Sequence, residues 1–366
     1  MMKPEHPREA APSRLAAPPP RAVKPPRRGP SLRVGLTFNV KRVCPKETGE
    51  DREAEFDAPE TVAAIAGAIA SLGHEVVELE ATPDLPTALA SAGVDVVFNI
   101  AEGIRGRNRE AQVPALLELL DIEYTGSDPT ALSLTLDKGL AKQLVRQAGV
   151  PTPQFFLMRT GNERLPKGLS FPLIVKPVAE GSSKGVLGTS VADGEARLRE
   201  LARAIAGKYR QPALVEEYLP GREFTVALLG ERRPKFLPPM EIVFDVPAGR
   251  HKVYSFEHKQ AASREVRYEA PAAVDPFLRR ELERVARASF AALGCRDVAR
   301  IDVRLDARGR VNFIECNPLP GLTPDWSDLC LIAKSAGMDY RALIGEILAP
   351  AVRRFRQRAA GRAAAR

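Results

Sequence analysis

Between residues 32 and 148 the chain alternates short apolar runs with helical stretches, and this alternation restricts the fold more than any other feature. Leu32–Leu36, His74–Leu79 and Val94–Phe98 are runs of strand length, whereas Pro59–Leu72, Glu110–Leu120 and Thr135–Ala148 read as helices. Gly73 and Gly149 stand just past two of these helices, where a left-handed residue closes a last turn. Strands alternating with helices build βαβ units, which require a parallel sheet. Asp121–Gly126 should end a further strand in a turn at Tyr124-Thr125-Gly126. From Phe155 the pattern changes to strands with longer loops, at Leu173–Pro177, Ala213–Leu219, Glu223–Leu229, Ala299–Leu305 and Val311–Glu315. The expected class is therefore α/β passing into α+β, with boundaries near residues 130 and 215.

A chain of 366 residues exceeds what one hydrophobic core usually organises. Hydrophobic content of 44% and charged content of 27% are ordinary for a soluble protein. No apolar run approaches the ~20 residues that span a bilayer. The N-terminus lacks the apolar core of a signal peptide, so a cytoplasmic location is expected. Cys44, Cys295, Cys316 and Cys330 form no CxxC pair and read as reduced thiols. The net charge of +8 suggests a polyanion partner until its location is considered. Residues 1–30 carry seven basic side chains against Glu5 and Glu9, and residues 351–366 carry six arginines and no acid. The body between them is slightly acidic, which argues against specific nucleic-acid binding. Both ends are expected to be basic tails; the first, rich in Pro, Ala and Arg, should be disordered. The last helix, Tyr340–Phe355, should fray into the second.

Three constellations carry chemistry. Lys176 ends an apolar strand and is followed by Glu180-Gly181-Ser182-Ser183-Lys184-Gly185, a loop whose backbone N–H groups can close on phosphate oxygens. By itself such a loop is most often only a turn. Arg300-Ile301-Asp302 and Glu315-Cys316-Asn317 each place two polar side chains on one strand face, because i and i+2 point the same way. Asp306–Gly309 between them has hairpin composition, so the strands should lie side by side. Two carboxylates and an amide oxygen on one face suit magnesium, with phosphates completing its shell. The arginine is either a salt-bridge partner or a cation for developing negative charge. Third, Glu216-Glu217-Tyr218-Leu219 and Glu223 end a strand in acids, which is either a solvated strand end or a nucleotide edge.

The order of these pieces resembles the ATP-grasp enzymes. The finer text resembles the D-alanine–D-alanine ligases, through Tyr124-Thr125-Gly126-Ser127, Asp137-Lys138, Val175-Lys176-Pro177, Gly181-Ser182-Ser183 and Asn317-Pro318-Leu319-Pro320-Gly321-Leu322-Thr323. The resemblance covers about residues 94 to 349. It implies an N-terminal parallel α/β substrate domain over residues 31–130, a central ATP-grasp lobe over 131–215 and a C-terminal lobe with the metal site over 216–350. It further implies ATP held by Lys138, Lys176 and Ser183 at the phosphates, by Glu216, Tyr218 and Leu219 at adenine, and by Glu223 at the ribose. Two magnesium ions, or manganese, would be bound by Asp302, Glu315 and Asn317. Arg300 and Gly321 would stabilise a tetrahedral oxyanion, Ser182 would position the first substrate, and Lys259 would reach the phosphates from a lid resembling the family's at Tyr254–Lys259.

The implied reaction is amide-bond formation between amino acids or small peptides through an acyl-phosphate, as in cell-wall peptide synthesis, by a protein with no membrane span that admits a homodimer. Other readings are a ligase for a different amino acid, a phosphotransferase, or a nucleotide-binding regulatory or inactive homologue. Departures from the family fall on the amino-acid side. The first loop is Thr37-Phe38-Asn39-Val40-Lys41-Arg42, followed by Glu47, Glu50, Asp51, Glu53, Glu55 and Asp57. The family's His-Gly…Gly-Glu-Asp-Gly is replaced by Asn99-Ile100-Ala101-Glu102-Gly103…Arg107-Asn108-Arg109-Glu110, Gln260 stands for a lid tyrosine, and the segment Pro324–Ser327 is one residue longer. Cationic side chains, arginine's rigid fork above all, suit a carboxylate, so Lys41, Arg42, Arg107 and Arg109 suggest a substrate with an additional one.

Overall fold

The computed structural model describes residues 31–42, 53–247, 249–255, 258 and 265–364. The expected disordered segment at residues 1–30 lies outside the described residues, as do Glu47, Glu50, Asp51, Lys259 and Gln260. Among the described residues no helix is long and apolar enough to cross a membrane.

The first sheet joins β1 (Arg33–Phe38), β2 (Glu75–Glu80), β3 (Val96–Asn99) and β4 (Glu123–Tyr124) in the order β2-β1-β3-β4, all parallel. A parallel sheet needs cover on both faces, and helices provide it. On one face Val62, Ile65 and Ile69 of α1 (Pro59–Ser71) pack with Val34, Leu36 and Phe98. On the other, Leu85 and Leu89 of α2 (Leu85–Ala92) and Val113 and Leu117 of α3 (Gln112–Leu119) pack with Leu79, Val97 and Tyr124. The expected helix at Glu110–Leu120 is thus preceded by a 3₁₀ turn at Arg109–Ala111.

Thr135–Ala148 is not one helix. The chain forms α4 (Pro129–Leu136) and α5 (Lys138–Gln147), divided at Asp137, whose backbone is extended at φ −83°, ψ 96°. The Asp137 carboxylate accepts the Leu140 N–H at 3.0 Å, so a residue expected inside a helix caps a new one instead. The break sets Lys138 on the first turn of α5.

Two antiparallel sheets follow. β5 (Phe155–Met158), β6 (Leu173–Pro177), β7 (Val191–Ala192) and β8 (Ala213–Glu217) pair in the order β5-β8-β6-β7 under α6 (Glu195–Tyr209). β9 (Glu223–Leu229), β11 (Met240–Phe244), β12 (Val266–Glu269), β13 (Val298–Leu305) and β14 (Val311–Asn317) pair as β12-β11-β9-β13-β14, with β10 (Lys235–Phe236) on β9. The apolar stripe of α7 (Pro276–Ala292), with Leu278, Leu282, Val285 and Phe290, closes this sheet over Phe224, Val226, Ile301 and Phe313.

α8 (Asp328–Ser335) and α9 (Tyr340–Ala364) return to the first sheet, where Leu343, Ile344, Ile347 and Leu348 join the core around Val34 and Phe98. The expected fraying at Phe355 does not occur. Arg354 donates to Glu123 at 2.7 Å, to both Asp297 oxygens at 2.8 Å and to the Tyr124 carbonyl at 2.8 Å, and it also pairs with Glu231. Arg358 and Arg362 pair with Asp121. What composition presents as a basic tail is a helix whose arginines meet acids far away in sequence.

Candidate active site

The β13–β14 hairpin builds one wall. At its turn the Gly309 N–H donates to the Asp306 carbonyl at 3.0 Å, and the two strands pair Arg300 opposite Asn317 and Asp302 opposite Glu315. Arg300 grips both Asp302 oxygens at 3.1 and 3.0 Å and reaches Asp328 at 2.9 Å. Thr225 Oγ1 donates to Asp302 at 2.6 Å and Asn317 Nδ2 does so at 3.3 Å. Neighbouring acids hold the Arg300 guanidinium charged although it is deeply buried. The four polar residues expected on this face do converge there.

Opposite lies a charged layer that sequence reading reached only in part. Glu216, 2% exposed, sits between Lys142 at 2.8 Å and Lys176 at 2.5 Å. Burial opposes charge on Glu216, yet the two lysines outweigh it and hold the carboxylate below its usual range. Burial lowers Lys142 to about 8 despite Glu216, while Lys176, which also feels Glu315 and Glu223, is raised. Lys142 gave no signal in the sequence because a lysine on an amphipathic helix usually points to water. Here it is fully buried and also reaches Thr152 Oγ1 at 3.1 Å and the Phe313 carbonyl at 3.3 Å. Glu216 therefore positions lysines at the edge of a cleft that it also lines. Glu223 pairs with Arg304 at 3.0 Å, and Arg304 also lies over the Tyr218 ring.

Lys138, Lys176, Ser183, Glu216, Tyr218, Leu219, Glu223, Asp302 and Glu315 line one cleft between the antiparallel sheets. A second cleft is lined by Ser182, Arg300, Asn317 and Gly321 together with Asn99, Glu102 and Glu110 from the parallel-sheet side. Lys138, Glu180 and Glu315 belong to both. The Lys138 ammonium is 3.2 Å from Glu315 and 2.5 Å from the Glu180 carbonyl, so this lysine stands where the clefts meet.

The Gly181–Ser183 loop is held by Glu55. Its Oε1 accepts the Gly181 N–H at 2.5 Å and an Arg109 N–H at 2.7 Å, and its Oε2 accepts from Lys184 at 3.3 Å. A Cβ on Gly181 would lie 2.5 Å from that oxygen, so only glycine allows the approach. Ser182 and Ser183 take positive φ values of 48° and 56°, which turns the loop across both clefts. Burial opposes charge on Glu55, but Arg109 and Lys184 hold its carboxyl below the usual range.

Arg107 and Arg109, expected to face a substrate carboxylate, already have acid partners. Arg109 is spent on Glu55, on Glu180 at 3.7 Å and on the Ala179 carbonyl at 3.1 Å; Arg107 donates to Asp137 at 2.9 Å. The second cleft is lined instead by acids. Burial raises Asp57 to about 7 against the pull of Lys41. Burial raises Glu110 to about 7 against Arg109, with Glu55 adding to the rise. Burial and then Glu110 push Glu102 well above the usual range.

Comparison with known proteins bears on the family and the fold. The family model described as D-ala D-ala ligase C-terminus matches residues 144–349. The "uncharacterized protein y4sG" of Sinorhizobium fredii is 38% identical over 299 residues, covering 80% of this chain and 87% of that protein. The D-alanine–D-alanine ligase of Aquifex aeolicus is 34% identical over 301 residues, covering 82% of this chain and 97% of the relative. Among solved structures, the Bacillus anthracis D-alanine–D-alanine ligase complexed with ATP superposes with a TM-score of 0.69 at 21% identity, covering 90% of this chain and 100% of that one. The VanG D-Ala:D-Ser ligase of Enterococcus faecalis gives 0.68 at 19% identity, covering 88% and 100%. The motifs, the three sheets and these matches place the chain in the D-alanine–D-alanine ligase family of ATP-grasp proteins.

Proposed function

We propose that the protein is an ATP-dependent ligase joining the carboxylate of one amino acid to the amine of another. The observation that carries this reading is the junction of the two clefts at Lys138 and Glu315, with Arg300, Asp302 and Asn317 on the same wall. ATP takes the cleft between the antiparallel sheets. Lys138, Lys176 and the Ser183 loop face its phosphates, the Tyr218–Leu219 backbone its adenine and Glu223 its ribose. Lys259 of the lid is assigned to the phosphates by family resemblance.

The oxygen donors of Asp302, Glu315 and Asn317 on adjacent strands fit magnesium, as one or two ions, or manganese. Bound there, the metal would neutralise phosphate charge during transfer. Arg300, Thr225 and Asn317 already hold both Asp302 oxygens, so a metal bound there would take the place of some of these hydrogen bonds.

The first amino acid lies in the second cleft beside Ser182. Its carboxylate oxygen attacks the γ-phosphorus, and ADP leaves. The amine of the second amino acid then attacks the acyl carbon of the acyl-phosphate, and inorganic phosphate leaves. Arg300 and the Gly321 backbone stabilise the tetrahedral oxyanion between these events. D-Alanine in both positions is the first pair to test, and a different amino acid in the first position is the second reading.

The experiment is ADP release from the purified protein with ATP, magnesium and amino-acid pairs, followed by mass spectrometry of the product. A condensation product with stoichiometric ADP is expected. Glu315→Gln, which removes one formal charge from the metal face, is expected to lower turnover at least ~100-fold while the protein stays folded. Absence of ADP release with every pair would reduce the protein to a nucleotide-binding homologue.

A further inference from the structure

Among the described residues, the second cleft is lined by more acidic than basic side chains. Six carboxylates line it, those of Glu55, Asp57, Glu102, Glu110, Glu180 and Glu315, against the cations Lys138 and Arg300. Three of the six are paired: Glu55 with Arg109 and Lys184, Glu180 with Lys184 at 2.6 Å, and Glu315 with Lys138. Arg300 is itself balanced by Asp302 and Asp328. Among the described residues, the side chains of Asp57, Glu102 and Glu110 have no hydrogen-bond or ion-pair partner, although Glu110 is only 9% exposed. A buried carboxylate without a partner, as at Glu110, is costly in a folded protein.

A second observation in the same wall is independent of these acids. Asn99 is 4% exposed and its Nδ2 has no partner. Its Oδ1 accepts the Thr37 hydroxyl at 2.8 Å and the Ala101 N–H at 3.2 Å, which fixes the direction of the amide. A free donor beside free carboxylates calls for a ligand with both an acceptor oxygen and cationic N–H groups. That describes an amino acid.

One α-ammonium can meet at most two of these three carboxyls, and the third is then left without a partner. A metal ion is the wrong filler: among the described residues no three His, Cys, Asp or Glu groups stand close enough to ligate one. An organic cation on a flexible arm can reach carboxylates spaced too widely for a metal.

Resting on the ligase reading above, we propose that the amino acid activated here bears a second cationic nitrogen on its side chain. Its ammonium and side-chain cation are shared among Asp57, Glu102 and Glu110, and Asn99 donates to one of its oxygens. The substrate class is the basic amino acids, opposite in charge to the class that the loop arginines suggested.

The test pairs each basic amino acid with its uncharged counterpart: ornithine with norvaline and lysine with norleucine, in both D and L forms, beside D-alanine and glutamate. Binding to the full-length protein is followed by calorimetry, and ADP release is followed separately. A basic amino acid is expected to bind at least ~10-fold more tightly than its uncharged counterpart. Glu102→Gln and Glu110→Gln should each reduce that ratio several-fold. Equal binding within each pair, preference for glutamate or D-alanine, or an unchanged ratio in both variants would overturn the proposal. The wild-type comparison needs no variant, so a misfolded substitution leaves the outcome decided. Tight binding of a basic amino acid without ADP release would sink the ligase reading alone, whereas ADP release that is fastest with D-alanine would sink only the basic-substrate proposal.

Discussion

Glu216 shows how much one side chain can hold. It is the only carboxylate within ion-pair distance of Lys142 among the described residues, and it also meets Lys176. Glu216→Gln leaves a buried lysine without a counter-charge, a change that costs about 3–5 kcal/mol. Thermal unfolding should therefore shift down by several degrees. Glu195→Gln, which removes an exposed partner of Arg199, should cost under about 1 kcal/mol. Equal effects from the two would mean that the triad is not the constraint it looks to be. The acids of the second cleft give a pH signature. Asp57 and Glu110 move from ordinary values of 3.8 and 4.5 to about 7 in the fold. The native state thus holds more protons than the unfolded chain between roughly pH 4 and 7. Their contribution is fully present below that window and is lost as pH rises through 7. Calorimetry of the ligand-free protein should show the melting temperature falling across this range, with a shallower slope for Glu110→Gln. A melting temperature that rises through the window would contradict these assignments.

At the scale of elements, the break at Asp137 is the informative feature. Apolar spacing across Thr135–Ala148 continues without interruption, so period alone reads a single helix. The structure divides it because the Asp137 carboxylate caps the second helix and also receives Arg107. Asp137→Ala should cost about 1 kcal/mol in stability. It should also raise the KM for ATP, because Lys138 on the next turn loses its placement. Asp137→Asn, which keeps the cap, should restore most of the stability; failure to do so would assign the effect to the ion pair with Arg107. The β13–β14 hairpin was legible for the opposite reason. Period two, turn composition and polar residues at i and i+2 all describe one local structure, so the side-by-side pairing of the strands followed from neighbours in sequence, whereas Asp302 faces Glu315 only through a register shift after Asp302.

At the scale of the whole molecule, α9 joins parts of the chain far apart in sequence. Arg354 links Glu123 and Tyr124 of β4 to Asp297, which is fully buried just before β13. Arg354→Ala leaves Asp297 with its Gly126 N–H bond at 2.9 Å but without its cation, and should cost about 3 kcal/mol or more. The cleft proposed for ATP contains no residue of this cluster, so ATP affinity should change far less than melting temperature. A selective loss of ATP binding with unchanged stability would show that α9 acts on the site directly.

The sequence by itself determined most of the order of strands and helices, the family, and the polar residues that the two clefts gather. Those features depend on period, turn chemistry and motif, which are written in adjacent residues. Tertiary structure alone decided which charges remain free. Arg107, Arg109 and the arginines of the last helix look available in the sequence, while Glu102 and Glu110 draw no attention. Whether a charge is spent depends on partners dozens to hundreds of residues away, such as Glu55 for Arg109 and Asp297 for Arg354. Net balance inside a cleft is a sum over those long-range pairs, and no local pattern records it.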